Sequence, residues 1–311
     1  MAIRLRRFLA GGASVRPAAT VVIPTRAGDR NGRLARVEAD LARQRFRDFE
    51  VIEIIGDDRQ GRAINRAARL ARGAFLITLD DDTELHQDET FGRLLAAMEA
   101  DPSIGIAGAS TLPGPRASAF QRLAIREVPR RFFPLAGATV DSDMAQHPCM
   151  AMRRDVFLAL GGEDEDLIRG LDPLLRHKFR SAGYRVTIAA GAWISHPLPE
   201  DLGSIARLYF RNGRGSAFAQ RTHPERIYEL TDGFEGGRGR SFAPQRPRWF
   251  RALRFAGRLY LDMLGCRIVR LTADVAYAAG YAWELWTAAG HKTPASPRAA
   301  AKCKGACTCG W

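Results

Sequence analysis

The sequence has few cysteines, and their arrangement does not suggest disulfide bonds. Two of the five are scattered, and the other three cluster in the last nine residues, as Cys303, Cys307 and Cys309. This distribution excludes the disulfide framework of an extracellular domain. The spacing C-x3-C-x-C has no fourth ligand nearby, so we interpret residues 291–311 as a disordered tail with free thiols. Metal binding or redox sensing by the tail is the alternative.

Long apolar runs are also missing. The run Phe8-Leu9-Ala10 is far too short for the core of a signal peptide or for a membrane span. Residues 250–289 are helix-like and broadly apolar, but charged residues leave no 18-residue uncharged window. The pattern excludes a spanning helix, and we expect a cytoplasmic chain.

Acidic residues are outnumbered by basic ones. The chain has 34 Asp and Glu against 47 Lys and Arg, a formal net charge of +13. This excess predicts an anionic partner, which is nucleic acid, an anionic membrane surface or a phosphorylated substrate. Between Arg207 and Arg258 there are 12 arginines against four acids, interleaved with Phe, Tyr and Trp.

This basic, aromatic stretch belongs to a helical C-terminal region, residues 203–290. We expect it to lie on the inner face of the cell membrane as a peripheral, amphipathic segment. The alternative is packing against the protein's own core or against a second subunit in a homodimer. Nucleic acid is not the expected partner, because zinc-finger spacing and the aromatic signature of RNA-recognition domains are both absent.

Strand and helix patterns alternate in the first part of the chain. The runs ATVVIPT (19–25), FEVIEII (49–55) and AFLITL (74–79) predict strands. Between the first two, Leu34, Val37 and Leu41 have helical spacing, and GRAINRAARLARG predicts a second helix. This order predicts an α/β fold with a mostly parallel sheet flanked by helices, in which ligands bind beyond the carboxyl ends of the strands.

Further along, IGIAGAS (104–110) and YRVTIAAG (184–191) predict strands, and DPLLRHKFRSAG predicts a helix. Residues 113–146 are expected to be an irregular insertion, with DSD (141–143) in a loop. We divide the chain at the changes in composition, as a basic N-terminal arm (1–17), a catalytic domain (18–202), the helical region (203–290) and the tail (291–311).

Three consecutive aspartates, Asp80, Asp81 and Asp82, follow the third predicted strand. Ionised carboxylates side by side repel one another, so a positive group is expected among them. Oxygen ligands at a strand end suit Mg²⁺ or Mn²⁺, either of which neutralises a diphosphate leaving group. The alternative is a solvated acidic turn that caps a helix starting near Thr83.

Five strings occur in an order that resembles glycosyltransferase family 2. They are VVIPT, QRFRDFEVI, QGRAINRAARLARG, LDDDTEL and CMAMRRDVFLALGGEDEDLIRGLDPLLRHKFRSAGYRV, which together cover roughly residues 18–200. The resemblance implies a GT-A fold and inverting transfer from a nucleotide-diphosphate sugar. Asp80-x-Asp82 is similar to the DxD motif of the family, with Asp82 on the metal and Asp80 on the ribose or the metal.

The resemblance also implies a donor site. The implied nucleotide-binding residues are Pro24, Thr25, Arg26, Asp57, Asp58, Gln60, Gly61, Asn65, Arg66 and Asp80. Gly56 stands near where the family often has an aspartate, so the choice between Asp57 and Asp58 is open. The start of the second helix can offer backbone N–H groups to phosphate. For Arg66, a surface charge is the alternative.

The general base implied by the resemblance is Asp172, which would deprotonate the acceptor hydroxyl. Leu171 replaces the glutamate that usually precedes this aspartate, which raises the alternative of a sugar-nucleotide-binding pseudoenzyme. The acidic cluster just before Asp172 is the competitor for this role, and it comprises Glu163, Asp164, Glu165 and Asp166. Of these, Asp164 and Glu165 match acidic positions of the family and are implied to contact phosphate or acceptor. His196 is implied to contact the metal or the diphosphate, although a lone histidine is more often structural.

Arg211 and Arg214 lie in YFRNGRGSA, which we interpret as a glycine-punctuated basic loop able to clamp diphosphate or a lipid phosphate. With the basic C-terminal region, this predicts transfer of sugar to a lipid-linked or cell-envelope glycan acceptor at the membrane. The alternative is a soluble acceptor, with the C-terminal helices forming a dimer.

Overall fold

The computed structural model describes residues 4–9, 16–29, 31–128, 135–222, 229–230, 242–243 and 247–289. Its strands are β1 (Arg4–Leu9), β2 (Ala19–Thr25), β3 (Phe49–Ile55), β4 (Phe75–Leu79), β5 (Ile104–Thr111), β6 (Val140–Asp141), β7 (Cys149–Arg153), β8 (Arg185–Ile194), β9 (Glu229–Leu230) and β10 (Phe242–Ala243). Its helices are α1 (Arg33–Arg43), α2 (Gln60–Leu70), α3 (Thr90–Ala100), α4 (Ala119–Glu127), α5 (Arg154–Ala159), α6 (Leu171–Ser181), α7 (Leu202–Thr222), α8 (Arg248–Leu264) and α9 (Ile268–Ala289).

An eight-stranded sheet carries the site, in the order β1-β3-β2-β4-β7-β5-β8-β6. The predicted strands β2, β3 and β4 are confirmed, and β2 pairs in parallel with both neighbours. Their β-branched residues are buried on both faces, which is typical of parallel strands covered by helices on each side. These three strands end at one edge of the sheet.

Strand β7 runs antiparallel between β4 and β5. The strand pattern of the sequence did not predict this insertion, because β7 pairs with residues that are distant in the chain. Strands β5 and β8 restore parallel pairing beyond it. The N-terminal arm contributes the edge strand β1, antiparallel to β3.

Helices cover both faces of the sheet with apolar side chains. Helices α1 and α3 bury one apolar cluster, which contains Leu34, Val37, Leu41, Phe91 and Leu94. Helices α2, α5 and α6 bury the other, which contains Ala63, Ile64, Ala67, Phe157, Leu175 and Phe179. The apolar stripes at helical spacing therefore position α2 and α6 beside the sheet edge where β2–β4 end.

The expected irregular insertion is wrong for residues 119–127, which form α4. The Ser118 hydroxyl accepts a hydrogen bond from the Gln121 N–H, and the Gln121 side chain accepts one from the Ser118 N–H. This reciprocal pair is a capping box, whose S-x-x-Q signature was present in the sequence. The DSD aspartates form ion pairs, Asp141 with Arg185 and Asp143 with Arg180.

The expected glycine-punctuated loop around Arg211 and Arg214 is wrong, since these residues lie within α7. A Cβ added at Gly213 would lie 2.0 Å from the Tyr277 carbonyl oxygen, and one at Gly280 would lie 2.0 Å from that of Phe210. The glycines therefore allow α7 and α9 to pack with their backbones in contact, rather than providing loop flexibility.

A turn in which Cys266 has a φ of 49° connects α8 to α9. Within the part of the chain that the structure describes, no helix combines the length and apolarity that crossing a bilayer requires. The tail, with Cys303, Cys307 and Cys309, lies outside the described residues.

Candidate active site

The three aspartates lie in a tight turn at the carboxyl end of β4. The Thr83 N–H donates to the Asp80 carbonyl at 3.1 Å, which closes the turn. The Asp80 N–H and the Thr83 hydroxyl both donate to the Pro148 carbonyl, at 3.4 and 3.0 Å. The turn is therefore tied to the segment that precedes β7.

His196 reaches this turn from the end of β8. Glu84 and Ser195 exchange backbone hydrogen bonds of 2.9 and 3.1 Å, which places the following residue, His196, beside the aspartates. Its Nε2 lies 3.0 Å from Asp82 Oδ1 and 3.7 Å from Asp80 Oδ2. One ligand atom from each of the three residues lies within 4.8 Å of the others.

The environment of these groups is partly polar. Burial works to lower the pKa of His196, but hydrogen bonds to Asp80 and Asp82 raise it to about 9. Gln60 Nε2 donates to Asp80 Oδ1 at 2.9 Å, and Arg33 lies 3.5 Å from Asp82 Oδ2. Positive and donor groups of the protein itself therefore offset part of the carboxylate charge.

The donor set fits a divalent cation. Two carboxylates and one imidazole converge, each half-buried, on a small volume at a strand end. Carboxylate oxygens suit Mg²⁺ and Mn²⁺, and neutral imidazole is a common metal ligand. Asp81 has a different contact, since it accepts a 2.5 Å hydrogen bond from the buried Thr25 hydroxyl.

The remaining donor-site candidates lie around the ends of β2 and β3. Pro24 and Thr25 close β2, and Arg26 follows as an exposed residue. The buried Asp57 carboxylate accepts three hydrogen bonds from Arg62 at 2.7–3.0 Å, and Arg62 also binds Asp58. Burial works to raise the pKa of Asp57, but Arg62 lowers it. Asp58 keeps the more exposed carboxylate.

Helix α2 offers its first residue to the site. Gln60 lines the pocket, whereas a Cβ added at Gly61 would lie 2.7 Å from the Asp164 carbonyl oxygen, so this glycine allows the loop of residues 161–170 to approach. The Asn65 amide is buried and occupied, because it binds Glu163 through both its backbone N–H and carbonyl. Arg66 is half-buried and acts on Asp57 through its charge.

Asp172, the implied base, lies in the first turn of α6 and lines the same pocket as Asp80 and His196. His147, which sequence reasoning missed, holds it. The His147 N–H donates to Asp172 Oδ1 at 2.8 Å, and its Nδ1 contacts the same oxygen. Nothing in the spacing of residues 147 and 172 pointed to this contact.

The acidic residues before α6 divide their tasks differently from what was expected. Asp164 accepts hydrogen bonds from the N–H groups of Asp166 and Leu167, within its own loop. Glu165 is exposed and contacts Asn65 and Arg69. Glu163 is the buried member, and its Oε1 lies 2.7 Å from His147 Nε2.

The arginines expected to bind phosphate lie on α7. Arg214 pairs with Glu284 of α9 at 3.1 Å, and neither Arg211 nor Arg214 is among the described residues that line the pocket. The arginine that does line it is Arg169, just before α6. A Cβ added at Gly215 of α7 would lie 2.4 Å from Arg169 Cγ, so α7 supports the stem of this side chain.

The pocket itself is open and has an empty volume of about 710 Å³, part of it continuous with solvent. Its lining joins the aspartate turn, the start of α2, the segment before β7 and the start of α6, through Gln60, Asp80, Thr111, Gln146, His147, Pro148, Arg169, Asp172, His196, Pro197 and Leu198. Its polar groups converge from distant parts of the chain, as they do in small-molecule sites.

Comparison with known proteins agrees with this arrangement. The sequence model of Glycosyl transferase family 2 matches residues 34–161. A mannosyltransferase from Pyrobaculum calidifontis, solved in complex with GDP-Man and Mn²⁺, is similar to this structure with a TM-score of 0.57. The match covers 88% of each chain at 14% identity, which shows a shared fold.

S. aureus TarS gives a TM-score of 0.44 at 13% identity, covering 89% of this chain and 93% of that one, a likeness too low to support a conclusion. No sequence among curated proteins matches this chain. The family match and the shared fold agree on the identity of the domain. Residues 34–161 therefore resemble a glycosyltransferase family 2 domain, the fold is GT-A-like, and together these findings support a glycosyltransferase.

Proposed function

We propose that this enzyme transfers a sugar, with inversion, from a nucleotide-diphosphate sugar to a hydroxyl of a lipid-linked or cell-envelope glycan. The observation that carries the proposal is the shared pocket, which Asp172, Asp80 and His196 all line. Asp82 converges with Asp80 and His196. A base and a diphosphate site must lie on opposite sides of the anomeric carbon in an inverting displacement.

In the proposed reaction, Asp172 accepts the proton of the acceptor hydroxyl. The acceptor oxygen forms a bond to the anomeric carbon as the bond to the diphosphate oxygen breaks, and the electron pair leaves with the nucleoside diphosphate. Asp80, Asp82 and His196 would hold Mg²⁺ or Mn²⁺, which when bound supplies positive charge for the leaving diphosphate.

The nucleotide is assigned to the ends of β2 and β3 and to the start of α2. Gln60 already donates to Asp80, so its amide lies between the helix and the aspartate turn. The exposed Asp58 is the better candidate for binding the nucleobase or the ribose, because Arg62 and the Arg59 N–H already bind the Asp57 carboxylate.

A thermal-shift titration of UDP-, GDP- and dTDP-sugars, with and without Mn²⁺, tests the donor site. We expect one of these donors to raise the melting temperature, and to raise it further with Mn²⁺. At a ligand concentration of 100 Kd, binding adds about 2.7 kcal/mol of stability. GDP-mannose is included because the Pyrobaculum enzyme was solved with it. If no donor stabilises the protein, the proposal is wrong.

We further propose that α8 and α9 contact an anionic membrane surface. On α8, Trp249, Leu253, Tyr260 and Leu264 are 64–68% exposed and lie at helical spacing on one side. On α9, Trp283 and Trp286 are also exposed. The net charge of +13 favours an anionic bilayer as the cover for this apolar stripe.

Co-sedimentation with vesicles distinguishes this surface from a dimer contact. We expect the protein to sediment with phosphatidylglycerol vesicles, but not with phosphatidylcholine vesicles, and to lose this when Trp249, Leu253 and Leu264 are all changed to Ser. Leu123→Ser on α4, also an exposed leucine, is the matched control. If the protein is a soluble dimer that sediments with neither type of vesicle, the result would support the alternative of a soluble acceptor.

A further inference from the structure

A buried histidine and a buried glutamate lie behind the proposed base. His147 and Glu163 are 2% and 3% exposed, whereas about a third of the Asp172 side chain is exposed. The imidazole contacts Asp172 through Nδ1 and Glu163 through Nε2, the latter at 2.7 Å. The three side chains thus form one chain that runs from the pocket into the protein interior.

The two carboxylate contacts of the His147 imidazole favour its charged form. Burial works to lower the pKa of His147, but the charges of Asp172 and Glu163, and the hydrogen bonds to them, raise it well above the usual value. Because both ring nitrogens face carboxylate oxygens, both are N–H donors. A charged imidazolium fixes the orientation of both carboxylates.

The glutamate is held firmly in its place. The Asn65 side chain accepts from the Glu163 N–H at 2.8 Å and donates to its carbonyl at 3.0 Å. The preceding Gly162 has a φ of 63°, and a Cβ there would lie 2.3 Å from Asn65 Oδ1. Lys178 Nζ donates to the Gly162 carbonyl at 2.5 Å. These contacts fix where the Glu163 carboxylate meets the imidazole.

His147 contacts only one of the two carboxylate oxygens of Asp172, the proposed general base. Both the backbone N–H and the ring Nδ1 of His147 contact Asp172 Oδ1, which leaves Oδ2 for an acceptor hydroxyl. Leu171, where the family usually has a glutamate, packs in an apolar cluster with Leu167 and Leu174. A second carboxylate reaches the base through His147 instead.

We propose that His147 and Glu163 are positioning residues that hold the Asp172 carboxylate with Oδ2 directed at the acceptor. The proposal rests on the proposed function, in which Asp172 is the base. Both side chains are almost fully buried and act through Asp172. Their effect is on the geometry of proton transfer, where a displacement of about 1 Å can cost on the order of 10²-fold in rate.

The first test is the effect of substitutions on kinetics. The readout is release of nucleoside diphosphate, with water as acceptor, from whichever of UDP-glucose, GDP-mannose and dTDP-rhamnose the thermal-shift panel selects. We expect His147→Gln to lower kcat by about 10²-fold, and Glu163→Gln to lower it by about tenfold, with donor KM unchanged within about twofold. His177→Gln, on the same helix as Asp172, is the control and should keep the wild-type kcat.

His147→Gln leaves two carboxylates without their cation, so this variant alone is open to the objection of misfolding. The double variant His147→Gln/Glu163→Gln removes one charge of each sign and should fold. A second readout is independent of turnover, since ¹⁵N spectra of labelled histidine report the protonation of His147. We expect Asp172→Asn and Glu163→Gln each to shift its ring signals, and His177→Gln to leave them unchanged.

The outcomes separate this proposal from the one beneath it. If Asp172→Asn keeps full turnover, the base assignment fails. If Asp172→Asn loses turnover but the His147 and Glu163 variants keep it, the positioning role alone fails. In a double-mutant cycle, we expect His147→Gln to add no loss in the Asp172→Asn background. Additive losses of turnover in this cycle would overturn the proposal. So would His147 ring signals that do not shift in Asp172→Asn.

Discussion

Two histidine–carboxylate clusters face one pocket, and they differ in burial and in what their histidines contact. In the first, His196 and its aspartates are each 21–26% exposed, and the ligand atoms converge on a common volume. In the second, His147 lies between two carboxylates that are on opposite sides of its ring and do not converge.

This difference shows how the same residue types acquire different tasks. The first cluster is partly exposed, and its ligand lone pairs converge. A cation that enters from solvent can therefore take the place of the proton on His196. A buried imidazolium with both N–H groups occupied is closed to a metal and works as a support. Burial and direction, rather than residue type, distinguish a candidate metal site from a candidate base and its support.

Asp172→Asn should have the largest effect on the enzyme. The amide keeps the size of the side chain but cannot take a proton, so we expect turnover to fall by about 10²–10⁴-fold. Because Asp172 is not among the converging metal-ligand candidates, donor and Mn²⁺ binding should be retained. Steady-state kinetics and thermal-shift titration measure the two effects, and wild-type turnover by this variant would remove Asp172 as the base.

Asp82→Asn should weaken Mn²⁺ binding, which Asp172→Asn is expected to retain. It removes one converging ligand, so Mn²⁺ affinity should fall at least as much as the ~10–100-fold that loss of an outer-sphere partner costs. Asp88→Asn is the control, since Asp88 is an exposed acid whose carboxylate lies 3.8 Å from Arg43. Calorimetric titration with Mn²⁺ gives both affinities, and equal values would exclude Asp82 as a ligand.

The sequence predicted the first cluster better than the second. Asp80 and Asp82 follow the mainly apolar strand FLITL, and the position of such a strand in a β-α-β order places its end at the ligand-binding edge of the sheet. The His147 cluster joins the segment before β7, the loop before α6 and the first turn of α6, and no local signal in the sequence predicts that these three segments meet. The insertion of β7, to which His147 is attached, was likewise not readable from strand patterns, because pairing partners are set by the whole sheet.

The C-terminal helical region also shows that contacts between distant segments are not predictable from local sequence. The glycines of YFRNGRGSA were interpreted as loop residues because glycine is common in turns. The structure places Gly213 at a close helix crossing instead. Local sequence does not distinguish a glycine that allows backbone contact from one that allows a turn, since both need only the absence of a Cβ.

Arg169→Gln should have a smaller effect, on donor affinity. Arg169 is the arginine among the described residues that line the pocket shared by both clusters. Loss of one charge-assisted hydrogen bond to a diphosphate costs about 1.5–3 kcal/mol, which is on the order of tenfold or more in Kd. Arg214→Gln breaks the ion pair between Arg214 of α7 and Glu284 of α9, and it should change the Kd for the donor less. A larger effect at Arg214 would instead support the phosphate-binding role that the sequence predicted for Arg211 and Arg214.

The smallest expected effect is a change in the pH dependence of stability. The pKa of His147 is raised in the folded protein above its unfolded value near 6.5, so its stabilising contribution is complete below pH 6.5 and is lost as pH rises through the folded pKa. Over that window, one proton changes the free energy of unfolding by about 1.4 kcal/mol per pH unit. We expect the melting temperature of the wild type to fall from pH 6 to pH 9 more steeply than that of His147→Gln/Glu163→Gln. His196, whose pKa is also raised, contributes equally to both proteins, so the difference between the two curves isolates the buried cluster. Parallel curves would show that His147 is not the charged support that its two carboxylate contacts indicate.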